Sequence, residues 1–299
     1  MISIIIPCFN DADSLMKNIP STLDFCKKIN GEVIVINDGS TDSLSEDIKE
    51  INHPNLIYLE QENQGVSASR NNGMNIAKNK KILFLDSDDY INYDSLYSQM
   101  EKVNKYDIVY WDTKKIFSNK KSINYVIENK NKDELLQSIL LRRNHLFIGS
   151  FIVSKKLALD ILFDTKFKYG EDLKFIYEII DQSGTVAKLD NIFLYYIQRN
   201  QSSMYRFNNS RFDSLDALES VRINKKFNQH LAYSIKYDKK VILHSFIKSF
   251  SILEFRKKLT AYSKMDEIIK SKFGNNKTKA LFKLFIYSIL YKTYAKLKP

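Results

Sequence analysis

The sequence predicts an α/β fold: a mixed, mainly parallel sheet flanked by helices, followed by a helical C-terminal extension. Three observations carry this. Short β-branched runs alternate with helical stretches through the first half of the chain. Those runs are apolar throughout, which is the mark of strands covered on both faces. From about Arg206 the strand pattern stops and long helical patterns take over. The predicted organisation is a domain over residues 1–205 and a helical region over 206–299, with no internal repeat.

Taken in order, Ile2-Ser3-Ile4-Ile5-Ile6 reads as a buried strand stopping at Pro7. Ser14 through Ile29 is helical, with Leu15, Ile19, Leu23 and Cys26 on one face and a kink expected at Pro20. Val33–Ile36 is the second strand and ends in Asn37-Asp38-Gly39-Ser40-Thr41-Asp42. Leu56–Leu59 is the third, followed by a helix from about Val66 to Ala77. Ile82–Leu85 is the fourth and runs straight into Asp86-Ser87-Asp88-Asp89. Then come a strand (Asp107–Trp111), a polar Lys/Asn-rich excursion (Lys114–Lys132), a helix and an apolar segment (Leu146–Val153). A helix opens at Gly170-Glu171-Asp172, and an aromatic strand spans Ile192–Tyr196. In parallel sheets ligands sit at the carboxyl ends of the strands. The polar clusters Pro7–Asp11, Asn37–Asp42 and Asp86–Asp89 fall there.

Composition narrows the function classes. At 299 residues, 44% hydrophobic and 27% charged, the chain has ordinary globular usage. Two cysteines, Cys8 and Cys26, make neither a disulfide framework nor a zinc set. The net charge of +11 reads plainly as solubility, or more sharply as a match to nucleic acid, anionic lipid or a phosphate-rich substrate. No nucleic-acid module signature is present, so nucleic acid is not the expected partner. With no signal peptide pattern and no run of ~20 apolar residues, the expected location is cytoplasmic, with peripheral attachment to the inner membrane face.

No Gly-x-Gly-x-x-Gly follows the first strand, and no phosphate loop ends in Gly-Lys-Ser/Thr. Phosphate charge must then be neutralised another way. Hard carboxylate oxygens at Asp86–Asp89, closing a buried strand, suit Mn²⁺ or Mg²⁺ shared with substrate phosphates. The plainer reading is that these residues cap the next turn.

Six segments together resemble family 2 glycosyltransferases, whose fold is called GT-A. They are Ile4–Asn10 with Leu15; Val35–Asp42; Asn63-Gln64-Gly65 with Ala68–Gly73; Phe84–Asp89; Gly170–Leu173; and Tyr195-Tyr196 with Arg199 and Ser202. They occur in the family's order over roughly residues 1–205 and leave the C-terminal third uncovered. The resemblance implies an inverting, metal-dependent transfer of a sugar from a UDP-sugar to a hydroxyl of a glycan or lipid-linked glycan, as in bacterial surface polysaccharide synthesis. Pro7, Phe9 and Asn10 would form the donor loop, with Phe9, where the family commonly has Tyr, stacking on uracil. Asp38 would accept the uracil N3–H, which disfavours cytosine because its N3 is itself an acceptor. Arg70 would hold base or diphosphate, Asp86 and Ser87 would lie against the donor, Asp88 would bind the metal and Asp89 would support the loop. Asp172 would be the general base, with Glu171 tuning it or positioning the acceptor. Arg199 would clamp the diphosphate or an acceptor phosphate, with Ser202 or Ser203 hydrogen-bonding nearby, although Gln198 and Asn200 depart from the family's pattern there. Bland readings stand beside these: Phe9 as core, Asp38 as a turn former, Arg70 as a surface cation, Glu171-Asp172 as an acidic first helical turn, Cys8 as packing. Trp111 reads equally as core or acceptor-loop packing, and the four histidines lack metal-ligand spacing.

From Ile268 to Pro299 there are eight lysines and no acidic residue, around the apolar Leu284–Tyr291. That suits an anionic membrane surface; the alternative is a helix docked on its own domain or on a second copy, giving a homo-oligomer. Two rival functions remain: a catalytically silent nucleotide-sugar-binding scaffold, and a sugar nucleotidyltransferase, for which the first loop lacks triphosphate-binding residues.

Overall fold

The computed structural model describes residues 1–128, 130–198, 209–249 and 263–273. Strands β1 (Ile2–Cys8), β2 (Glu32–Asn37), β3 (Leu56–Glu60) and β4 (Lys81–Phe84) are mutually parallel in the order β3-β2-β1-β4. Helices α1 (Ala12–Ile29), α2 (Leu44–Lys49) and α3 (Val66–Ile76) make the crossovers. Helix α1 runs unbroken through Pro20. The other half of the sheet is mixed. β8 (Phe151–Ser154) is antiparallel to β4, and β6 (Ile108–Phe117) is antiparallel to β8. β9 (Val186–Gln198) is parallel to β6, and β5 (Tyr90–Ile91) caps its edge.

Why β1 is apolar throughout is visible in its packing. Ile4 and Ile6 join one core with Leu15, Ile19 and Leu23 of α1, while Ile5 joins the opposite core with Met74 of α3. Both faces are covered, and the strand's one polar side chain, Ser3, is buried with its hydroxyl donating to Glu32 at 2.6 Å. Helix α3 lies so close to β1 that a Cβ on Gly73 would stand 2.4 Å from Ile5 Cγ2.

The Lys/Asn-rich excursion contains a hairpin. β6 continues to Phe117, turns through Lys120 in the left-handed region (φ 63°), and pairs with β7 (Ser122–Tyr125). Short helices α4 (Tyr93–Tyr97) and α5 (Met100–Lys105) precede β6; α6 (Lys132–Leu140) opens on an Asn131/Glu134 capping box, and α7 (Lys155–Ile161) follows β8. Trp111 is core, fully buried edge-on against Phe193.

Helix α8 (Glu171–Gln182) carries the predicted base. The C-terminal helices α9 (Asp213–Glu219) and α10 (Asn228–Ser249) pack on it, the latter also touching α6 and α11 (Ser263–Phe273). Tyr177 of α8 shares a 3.0 Å hydrogen bond with Ser234 of α10, and Glu178 accepts the Arg222 N–H at 2.8 Å. The predicted 205/206 boundary falls in a stretch outside the described residues; beyond it, residues 209–249 lie against the α/β layers. The basic stretch from residue 274 also lies outside the described residues. No described helix is long and apolar enough to cross a membrane.

Candidate functional site

The ends of β1, β2 and β4 are tied together by their own side chains. Asn10, at φ 52°, accepts the Thr41 N–H at 2.7 Å and donates its backbone N–H to Ser40 Oγ at 3.0 Å. Asp42 accepts the Ala12 N–H at 2.9 Å, and Ser87 donates to Asp11 at 2.7 Å. Asn18 of α1 donates its amide to the carbonyls of Ser87 and Asp89, at 3.1 and 3.2 Å. Asp89 is buried and accepts the Ile197 N–H at 3.0 Å, which fastens the acidic loop to β9. Phe9 stands 51% exposed at the tip of β1, open to a stacking partner rather than in the core.

Asp38 is almost fully buried and has a task the sequence did not reveal. Its carboxylate accepts Gln61 Nε2 at 2.7 Å, the Gln64 N–H at 2.8 Å and the Gly65 N–H at 2.8 Å. It therefore fixes the loop that opens α3, and so the position of Arg70 one turn later. A carboxylate has about four lone-pair directions; three are taken.

Arg70 is not a surface cation. It is 4% exposed, donates to Asp86 at 2.9 Å, stands 3.8 Å from Glu171 and lies over the Phe163 ring. Its Nε and Nη1 have no hydrogen-bond acceptor among the described residues. One buried guanidinium thus joins the acidic loop after β4 to the first turn of α8. That turn begins at Gly170, whose φ of 84° and 2.8 Å approach of a Cβ to Ser214 Cα leave no room for a side chain.

These residues face a cleft of ≈ 570 Å³. Pro7, Arg70, Asp86, Ser87, Asp88, Glu171 and Asp172 line it, while Phe9, Asn10 and Asp38 sit along the sheet edge at the ends of β1 and β2. Arg199 and Ser202 lie outside the described residues. The lining also includes His145, Phe147, Tyr196 of β9, and Arg211, Asp238 and Ile242 from the C-terminal part. Tyr196 belongs to a segment that carries the family resemblance; sequence reading gives the others no role, because nothing local in the chain brings positions 145, 196 and 238 together.

The electrostatics follow from crowding acids in a partly dry cleft. Burial pushes the Glu171 carboxyl up, the Asp172 charge adds to this, and Arg70 opposes it. Asp172 is also pushed up by burial, against the pull of Arg70 and the Leu173 N–H. Tyr196 is raised by burial and then by the charges of Asp89, Asp86, Asp88 and Asp172. Burial and the nearby Asp11 push the Cys8 thiol up to about 12, so it is a packing residue, not a nucleophile. Among the described residues no three His, Cys, Asp or Glu side chains form a cage for a divalent cation, so Asp88 would supply one or two oxygens and a diphosphate with water the rest.

Comparison with known proteins agrees with this architecture. The glycosyltransferase GlyA of Streptococcus pneumoniae serotype 4 is 38% identical over 107 residues, which is 35% of this chain and 15% of GlyA. The minor teichoic acid biosynthesis protein GgaA of Bacillus subtilis is 30% identical over 238 residues, covering 72% of this chain and 52% of GgaA. The chain thus spans about half or less of the length of these relatives. The structure of S. aureus TarS 1–349 in complex with UDP-GlcNAc superposes with a TM-score of 0.64 at 17% identity, over 99% of this chain and 92% of that one. That shows the same GT-A fold. Residues 3–162 match the model of glycosyl transferase family 2, and since this is more than half of the chain, the protein belongs to that family.

Proposed function

We propose that this protein transfers a sugar from a UDP-sugar to a hydroxyl of a surface-glycan acceptor, with inversion, and that Asp172 is the base. The observation that carries the reading is the single cleft in which Arg70 links Asp86 to Glu171 while Asp88 and Asp172 line the same space. Asp172 stands half-buried in the first turn of α8; burial raises its carboxyl and so makes it a better proton acceptor, while Arg70 and the helix N-terminus oppose that rise. It would take the acceptor's proton as the hydroxyl attacks the anomeric carbon. One displacement with no enzyme nucleophile inverts the configuration. Bound Mn²⁺ or Mg²⁺ at Asp88 would supply charge for the departing diphosphate. Phe9 offers a stacking face, and the remaining lone pair of Asp38 would take a base N–H. The TarS complex with UDP-GlcNAc and the teichoic acid role in GgaA's name favour a UDP-sugar donor and a cell-surface acceptor.

The test is nucleotide release from UDP-, GDP- and CDP-sugars with Mn²⁺. UDP-sugars should dominate, chelator should abolish transfer, and Asp88→Ala should cost far more than the exposed Asp94→Ala. Full activity in excess chelator sinks the metal mechanism. We also place the chain at an anionic membrane surface through its lysine-rich end, each lysine near the surface contributing about 1 kcal/mol. Truncation after Phe273 should abolish flotation with anionic liposomes and keep donor hydrolysis; a truncated protein that unfolds or loses an oligomer instead points to protein docking.

A further inference from the structure

Beyond the catalytic carboxylates, the cleft runs into a shelf of rings on the mixed half of the sheet. Phe147, from the loop before β8, lies 5.2 Å from Tyr196 and 5.2 Å from Tyr125 of β7. His145 meets Tyr125 edge-on at 5.2 Å. Lys115 of β6 is in register with Tyr196, with its Nζ 5.2 Å from that ring's centroid and 5.5 Å from that of Phe117. His145, Phe147 and Tyr196 line the cleft itself, so the shelf is continuous with the space beside Asp172.

The charge on this shelf is one-sided. Lys115 is half-buried, and no carboxylate among the described residues pairs with it; burial alone acts on its ammonium and lowers its pKa. His145 is lowered by burial and then by the positive charges of Arg142 and Lys115. Asp86, Asp88, Glu171 and Asp172 line the same cleft, and of the shelf residues it is the Tyr196 hydroxyl that the charges of Asp86, Asp88 and Asp172 reach. A partly buried cation without a counter-ion has a desolvation cost that an anionic ligand removes. The rings around it present apolar faces that suit the C–H face of a sugar or polyol, as aromatic side chains do in wet, amphipathic sites.

We infer that Lys115, Tyr125, His145, Phe147 and Tyr196 form the acceptor subsite, and that it takes a carbohydrate or polyol carrying a phosphate. The inference rests on the proposed transferase reading for its orientation, because the acceptor hydroxyl must reach Asp172 from a side the nucleotide does not fill. The sheet order supplies that side. The β1, β2 and β4 ends gather Phe9, Asp38 and Asp88, whereas the shelf stands on β6, β7 and β9 and the loop before β8. Lys115 holds the phosphate, Phe147 and Tyr196 carry the ring, and the next hydroxyl along the acceptor points to Asp172. The phosphate has two sources, a phosphodiester within a polymer or the diphosphate of a lipid carrier.

The experiment measures acceptor KM and kcat with a short polyol-phosphate oligomer, with a lipid-linked diphosphate sugar in detergent, and with a neutral oligosaccharide. Direct calorimetry of the same ligands without donor accompanies it. Lys115→Met keeps the stem and removes the charge. It should raise KM for a phosphate-bearing acceptor about tenfold, the usual scale for losing one charged hydrogen bond, and change kcat and the affinity for UDP little. Lys115→Arg should restore most of the loss, and Phe147→Ala should weaken phosphorylated and neutral acceptors alike. A KM effect confined to the oligomer identifies the phosphodiester source, and one confined to the lipid-linked sugar identifies the diphosphate. Lys115→Met with KM within twofold of wild type on both, or wild-type binding of the neutral ligand as tight as the phosphorylated ones, overturns the inference. If no sugar is transferred yet Lys115-dependent phosphate binding persists in calorimetry, the transferase reading fails and the subsite stands.

Discussion

Replacing Asp38 by Asn keeps the side chain's size and takes away one acceptor. In the folded chain Oδ1 accepts Gln61 Nε2 and the Gln64 N–H, while Oδ2 accepts the Gly65 N–H. An Asn can serve the first two through its oxygen, but its NH₂ then faces the Gly65 N–H, donor against donor. One charge-assisted bond is lost and one buried N–H is stranded, which together cost about 2–4 kcal/mol. For a chain of this size each kcal/mol moves Tm by about 2 °C, so a fall of about 4–8 °C is expected by calorimetry or circular dichroism. The consequence for ligands is indirect: the loop from Gln61 to Gly65 sets the start of α3, and Arg70 rides on that helix. UDP and CDP affinity should therefore fall together through the misplaced Arg70. If the last lone pair of Asp38 also meets the uracil N3–H, UDP should fall further than CDP. An Asp38→Asn protein with wild-type Tm refutes the loop-holding role. Equal wild-type affinity for UDP and CDP removes the base contact.

Two further outcomes concern the acidic turn of α8. Asp172→Asn should reduce transfer by about 10²- to 10⁴-fold with UDP affinity near wild type, and Glu171→Gln should be milder; an active Asp172→Asn enzyme, or one losing UDP binding in step with rate, places the base elsewhere. The pH dependence has a definite sign. Burial raises the Glu171 carboxyl above the unfolded value of about 4.3, so the folded chain holds this proton to higher pH than the unfolded chain does. The resulting stability is present at low pH and is lost as pH rises through the folded value. The Tm of Glu171→Gln relative to wild type, without ligands, should consequently improve between pH 5 and pH 8. A relative Tm that stays flat over that range means Arg70, at 3.8 Å, keeps Glu171 ionised throughout.

The nucleotide half of the molecule was legible because its information is local. Each parallel strand delivers its ligand-side residues immediately after its own apolar run, so Pro7–Asn10, Asn37–Asp42 and Asp86–Asp89 announce themselves in the sequence and the fold gathers them at one edge. The residues holding those loops were less visible. Asn18 occupies a polar position on α1 that helical periodicity assigns to solvent, yet it binds two carbonyls of the acidic loop. Asp38 was read as facing a ligand, and three protein donors already occupy it. Periodicity reports which way a side chain points; it is silent on which backbone groups wait there.

The proposed acceptor side was opaque for the opposite reason. Its sheet is mixed, so β8 brings its amino end, not its carboxyl end, to the cleft beside β4, and the rule that places ligands after strands no longer reads along the chain. The hairpin bearing Lys115 and Tyr125 lies in a stretch rich in Lys and Asn, where polarity outweighed the strand pattern. Phe147, Tyr196 and Asp238 then come to one cleft from segments about 40 to 50 positions apart. The acids and the rings meet there: Asp89 accepts the Ile197 N–H of β9, and burial and then the charges of Asp89, Asp86, Asp88 and Asp172 raise the Tyr196 hydroxyl. On the proposed reading the donor diphosphate lies with the loop after β4 and the acceptor phosphate with Lys115 of β6. The two substrates are then separated by the strands that carry their binding groups, which a motif read along the chain does not report.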